Sequence, residues 1–227
     1  MCYDKGNFTK GKNRQMLGRT HFFIGTAAAL AVLQPQTVPA LVAGAGAAAI
    51  GGLISDIDVG TSQAHRDADK IITATVAVAV LTILAEYKLN LGIYRRLTSD
   101  SSVLRLLAGT AAFLLICAYG KQQPHRSFMH SFAALALLTA CVDIIYPDVS
   151  AYFAVGFLSH LVLDFFNRKP EKLFWPWKKG FCLGFCSARG LVNRALLGCG
   201  MVSLAVVLVL SAPAGRLMAK IMRAIYG

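Results

Sequence analysis

Charge is what this chain has least of. Asp, Glu, Lys and Arg make up 15% of its 227 residues, against about 25% in ordinary soluble domains. That leaves too little polar surface to cover a globule in water. Paired cysteines are also missing. Cys2, Cys117, Cys141, Cys182, Cys186 and Cys199 are scattered, and only Cys182 and Cys186 stand four apart, without the second pair that would complete a zinc-site pattern. They read as small core residues, with a shared helix face or a metal as the alternative for that pair. No disulfide framework is implied. The chain also lacks the His-rich repeats that a membrane di-iron oxidase would want. Internal repeats and low-complexity stretches are absent too, so one domain is expected over 1–227.

Within the scarce charge, acids are the scarcer sign: 11 against 23 Lys and Arg, a net +12. In a membrane protein such an excess reports cytoplasmic loops and anionic headgroups. A nucleic-acid partner would need a basic surface with a recognition motif. None is present, so no nucleic acid is expected, and membrane lipids are the expected partners.

What fills the chain instead is apolar sequence, 56% of residues with a mean hydropathy of +0.57. About seven apolar segments follow one another: 22–33, 37–54, 71–87, 103–120, 132–146, 151–166 and 196–212. Several approach the roughly 20 residues of a membrane-spanning helix. The expected fold class is all-α, a multi-pass transmembrane helical bundle. The first two segments, joined at Gln34-Pro35-Gln36 and rich in Gly and Ala, form a tight hairpin, either tilted or partly re-entrant, because small residues let helix backbones approach closely. A basic tail, 1–19, precedes them and is expected to be retained rather than cleaved as a signal peptide. The closing stretch, 214–227, spaces Leu217, Ile221 and Ile225 against Arg216, Lys220 and Arg223, as an amphipathic helix on the membrane surface does. Leu173-Phe174-Trp175-Pro176-Trp177-Lys178-Lys179 has the Trp beside Lys of an interfacial anchor.

Alternating the segments across a bilayer sorts the polar groups. The N-terminal tail carries five Lys or Arg, 55–70 two, 121–130 two and 167–194 seven, which puts 16 of the 23 on one side. By the positive-inside rule that side is cytoplasmic. All the histidines fall there too, with Asp56, Asp58 and Asp164.

Those residues are candidate metal ligands. His160 and Asp164 are four apart on one helical face, inside a span where ionisable groups are costly and usually paired or functional; a structural His–Asp hydrogen bond is the alternative. His125 and His130 flank a turn that starts at Pro124. Arg126 between them can pair with a carboxylate or bind a substrate phosphate, its planar fork matching either. Asp56 and Asp58 sit where a helix ends, against the macrodipole, which calls for a compensating cation unless they merely form the turn. His21 gains its weight from position. Mixed nitrogen and oxygen donors suit zinc best, with manganese or iron as alternatives. Seven candidates exceed one tetrahedral site, leaving room for one to three divalent ions or for residues that orient the ligands.

With these residues assembled, the chain resembles the YdjM-like family of membrane-bound metal-dependent hydrolases. The likeness covers most of 16–180. It rests on Thr20-His21-Phe22-Phe23-Ile24-Gly25, Gly52-Leu53-Ile54-Ser55-Asp56-Ile57-Asp58, His125-Arg126-Ser127-Phe128-Met129-His130-Ser131, Ser159-His160-Leu161-Val162-Leu163-Asp164 and Leu173-Phe174-Trp175-Pro176. Ser55 stands where the family often has Pro, and Phe128 where a smaller residue is usual. That family is distantly similar to the zinc-dependent phospholipase C and P1 nuclease group. The resemblance implies His21, Asp56, His125, His130, His160 and Asp164 as ligands, and Asp58 as a ligand or general base; Arg126 is the expected substrate contact. The expected activity is hydrolysis of a phosphoester, a phospholipid being one candidate, by metal-activated water at the cytoplasmic face. The alternative is a non-enzymatic metal transporter or scaffold with a structural His/Asp cluster.

Overall fold

The computed structural model describes residues 18–58, 103–167, 169–184 and 191–226. The expected span at 71–87, most of the basic tail, the 59–70 and 88–102 loops, Cys2 and Cys186 lie outside the described residues. Seven α-helices make up the described chain: α1 (Gly18–Leu33), α2 (Val38–Ile54), α3 (Val103–Gln122), α4 (Phe132–Ile145), α5 (Pro147–Phe165), α6 (Leu191–Leu210) and α7 (Ala212–Tyr226). Short 3-10 turns at Ser55–Asp58 and Phe128–His130 close α2 and precede α4. Among the described residues there is no named strand, only isolated bridges, so the all-α expectation holds. Three stretches are long and apolar enough to cross a membrane, Val38–Asp58, Pro147–Phe165 and Leu191–Leu210, while α1 and α4 are shorter apolar helices.

Local sequence sets the ends. Thr37 caps α2, its hydroxyl accepting from the Ala40 N–H at 3.3 Å, with Pro39 in the first turn. Ser131 caps α4 in the same way and donates its own proton to the Phe128 carbonyl at 2.6 Å. Pro147, which falls between the expected segments 132–146 and 151–166, is the first residue of α5, and extended Tyr146 makes the reversal. The reason is general: a helix's first turn has no use for the N–H that proline lacks.

α2 packs most extensively on α5, and α1 covers both. The α2–α5 crossing is held close by glycine. A Cβ on Gly51 would collide with the Phe153 carbonyl, and one on Gly156 with the Ala48 carbonyl. Around it lie Leu30, Ala48, Phe153, Phe157 and Leu161, all fully buried or nearly so. Gly156→Leu should therefore push α5 off α2 and lower the thermal midpoint of the detergent-solubilised protein well beyond the roughly 1–3 kcal/mol of ordinary overpacking, since the obstacle is backbone and cannot repack. An unchanged melting curve would sink this account. α6 leans on α1, and its outward face, including Met201, Val202, Val206, Val209 and Leu210, is exposed, as suits a helix bathed in lipid chains.

Helix directions gather one set of ends. The start of α1, the end of α2, the end of α3 with its following turn, the end of α5 and the start of α6 all meet. The Thr20 hydroxyl donates to Asn193 Oδ1 at 3.0 Å, tying α1 to α6 there. At the far end the Arg216 guanidinium donates to the Gln36 carbonyl.

Candidate metal centre

Four elements converge at that gathered end. α1 supplies His21, the 3-10 turn after α2 supplies Asp56 and Asp58, the turn between α3 and α4 supplies His125, Arg126 and His130, and α5 supplies His160 and Asp164. The six residues expected as ligands, and Asp58, expected as a ligand or general base, fall into three overlapping groups, the donor atoms of each lying within 4.8 Å of one another: His21, His160 and Asp164; Asp56, His130 and His160; Asp58, His125 and His130. These groups can hold metal.

The tightest geometry belongs to four donors. His130 Nε2 lies 3.4 Å from His160 Nε2, 3.4 Å from Asp164 Oδ2 and 3.8 Å from Asp56 Oδ1. His160 Nε2 lies 3.8 Å from Asp56 Oδ1 and 3.9 Å from Asp164 Oδ2. Ligands at the roughly 2.0–2.1 Å of zinc bonds stand about 3.4 Å apart in a tetrahedron, and these five separations, 3.4–3.9 Å, are close to that.

The bonds behind these donors aim them. His160 Nδ1 sits 2.8 Å from the Gly52 carbonyl. A carbonyl only accepts, so Nδ1 carries the proton and Nε2 turns its lone pair into the centre. His130 Nδ1 faces Asp58 Oδ2 at 3.6 Å, just beyond hydrogen-bond length, and a small approach would make the carboxylate–histidine pairing common behind metal ligands. His125 Nδ1 donates to Asp58 Oδ1 at 2.7 Å, and the Arg126 N–H donates to Asp58 Oδ2 at 3.2 Å. Asp58 thus organises the turn that carries both histidines. His21 Nε2 lies 3.5 Å from Asp164 Oδ1, its ring stacked on His160 with centroids 4.0 Å apart.

Arg126 is placed differently from a group waiting for substrate. It is buried, its Nη2 donates to Asp164 Oδ2 at 2.5 Å and its Nη1 to the Lys169 carbonyl at 2.5 Å. Its backbone takes a left-handed φ of 63°, a strained setting for a residue with a Cβ. Of the two matches open to its fork, the described structure shows the carboxylate.

Electrostatics favour a cation here. Burial alone would strip the proton from His130, but its contacts with Asp164 and Asp58 outweigh that and push it up to about 10. Carboxylates that hold an imidazole charged to that degree demand positive charge, which a divalent ion ligated at Nε2 supplies in the proton's place. Among the described residues, His21 Nδ1, Ser55 Oγ, Arg126 Nε and both Glu171 oxygens are buried without a hydrogen-bond partner. Of these, His21 and Arg126 belong to the centre, where an orphaned polar atom suits a site for a charged ligand.

Two of these neighbours escape a reading of the sequence. Asn167 Nδ2 donates to Asp164 Oδ1 at 3.0 Å; its only signal is its place three residues past a buried aspartate. Glu171 is fully buried, and its electrostatic neighbours are His130, Asp164 and Arg126. It sits in a basic, aromatic stretch that reads as a membrane anchor, which hides it. Burial pushes its carboxyl up to about 8. Below its ordinary value of 4.5 folded and unfolded chains both hold the proton. Above that the unfolded chain loses it first, so stability falls as pH climbs towards about 8 and then levels. Glu171→Gln should flatten that slope, the variant's advantage in thermal midpoint widening with pH across this window. A parallel pH profile would contradict it.

Fold and site together define a class, the multi-pass helical membrane proteins with a buried His/Asp centre where helix ends gather. Within that class the chain belongs to the YdjM inner membrane protein family, whose profile matches residues 16–225. No curated protein and no solved structure matches the chain.

Proposed function

We propose that this protein is a metal-dependent phosphoester hydrolase, with zinc as the preferred ion, embedded in the inner membrane with its centre at the cytoplasmic face. The observation that carries the reading is the four-donor set of Asp56, His130, His160 and Asp164. A divalent ion held there lowers the pKa of water and polarises a phosphoryl oxygen. The chain's own part is division of labour. Asp58 holds His125 through Nδ1, and His125, the least buried histidine of the centre, carries a proton, taken from water as its oxygen bonds phosphorus and given to the ester oxygen as that bond breaks. Arg126 holds Asp164 in place. The cytoplasmic assignment draws on the 16 of 23 basic residues expected on the site's side.

The competing reading, a non-enzymatic protein whose cluster is structural, draws on the Arg126–Asp164 pair, which needs no ion. Placement at helix ends rather than at broken helices near the midplane weighs against a transporter. Elemental analysis of protein purified in detergent, beside turnover of bis(p-nitrophenyl) phosphate, separates the cases. Hydrolysis predicts a bound divalent ion, loss of turnover on chelation and recovery with zinc or manganese. Bound metal without turnover would support a non-enzymatic protein, and no metal under any loading would remove the hydrolase and leave the structural reading.

A further inference from the structure

Residues 169–184 follow the end of α5 and run back over the centre as a strap. Its inner edge is pinned by main-chain bonds: the Lys172 N–H donates to the Arg126 carbonyl at 3.0 Å and the Phe132 N–H to the Leu173 carbonyl at 2.9 Å. Glu171 and Phe181 pair as an antiparallel bridge, each N–H donating to the other's carbonyl at 3.0 and 2.9 Å. Directly opposed residues in such a pair have their Cβ atoms about 5 Å apart on one face. Phe181 therefore stands beside Glu171, the carboxyl whose electrostatic neighbours are Arg126, Asp164 and His130.

Phe181 also lines a half-open groove of ≈ 610 Å³ with Phe174, Trp177, Lys178 and Lys179. Its floor is aromatic: Phe174 lies 5.8 Å from Phe181 and 6.2 Å from Trp177, ring centre to ring centre. Trp177 is 70% exposed and Phe174 48%, more apolar surface than a loop holding two exposed lysines would show to water alone. The volume falls within the roughly 300–1,000 Å³ of ligand sites. An apolar floor under a cationic rim fits an amphiphile with a chain and an anionic head. One end of the groove, at Phe181, abuts the residue next to the metal centre.

We propose that the strap groove binds one acyl chain of an anionic glycerophospholipid, delivering its phosphate past Glu171 to the centre. This names the substrate class of the hydrolase proposed above and rests on that reading. Lys178 and Lys179 meet the head's negative charge, and Phe174, Trp177 and Phe181 receive the chain.

Binding and turnover can be tested apart. The chain has two tryptophans, so Trp175→Phe leaves Trp177 as the lone reporter. In nanodiscs of zwitterionic lipid, phosphatidylglycerol with brominated chains should quench Trp177 at about tenfold lower mole fraction than brominated phosphatidylcholine. Lys178→Gln/Lys179→Gln, both exposed, should erase that preference. Equal quenching by the two lipids, or a preference that survives the lysine change, means a membrane anchor only and overturns the groove. With zinc-loaded protein, Trp177→Ala should cut phosphatidylglycerol turnover about tenfold while bis(p-nitrophenyl) phosphate turnover holds. Soluble-ester turnover without lipid preference leaves the hydrolase and removes the lipid site. Lipid preference without turnover of either ester removes the hydrolase, and with it the substrate assignment, and leaves a lipid-binding groove.

Discussion

His130→Ala is expected to empty the centre. Its ring faces four of the centre's residues: Nε2 faces Asp56, Asp164 and His160, and Nδ1 faces Asp58. Changing a partner behind a ligand costs about 10–100-fold in metal affinity or activity; removing one of four donors should exceed that, with phosphoester turnover falling below detection. His160→Ala should match it, because its Nε2 closes the same set. His125→Ala should differ in kind, keeping the ion while losing turnover, because its role is assigned to proton transfer. Elemental analysis of the three variants, each checked for an unchanged elution volume in detergent, reads this directly. Metal retained in both His130→Ala and His160→Ala would end the four-donor assignment.

The second large effect is expected on stability. Arg126→Ala leaves buried Asp164 without its guanidinium partner and the Lys169 carbonyl without its donor. Breaking a buried pair in this way costs about 3–5 kcal/mol, so the thermal midpoint should drop sharply. Arg126→Lys keeps charge but loses the fork that spans both acceptors and should recover only part. A third variant isolates the backbone. At φ 63° glycine is relaxed where alanine is strained, so Arg126→Gly should be more stable than Arg126→Ala by about 1–2 kcal/mol. If all three variants melt with the parent, the pair holds nothing.

What the sequence made legible was polar punctuation in apolar text. His21, Asp56, Asp58, His125, His130, His160 and Asp164 stand out because ionisable side chains at the ends of apolar helices are costly and rare, and alternation of spans puts them at one end. The structure brings them within reach of one another. Pairings across long separations were not legible: nothing near residue 125 announces that Asp58, 67 positions earlier, holds its imidazole. Glu171 was hidden by its neighbours, since Lys172 and the tryptophans give that stretch the pattern of a surface anchor. Helix ends were partly legible. Pro147 signals a boundary, but whether it closes one helix or opens the next depends on Tyr146, whose extended backbone carries no sequence mark.

The two histidines of the four-donor set are steered by different kinds of partner. His160 answers to the Gly52 carbonyl, a main-chain group that no side-chain substitution can remove. His130 and His125 answer to Asp58, which one base change in a codon can replace. Over evolutionary time the α5 wall of the centre is therefore fixed in orientation, while the wall facing it can be retuned. Relatives that differ in preferred ion or pH range should differ first at position 58 and the turn it holds, and last at His160.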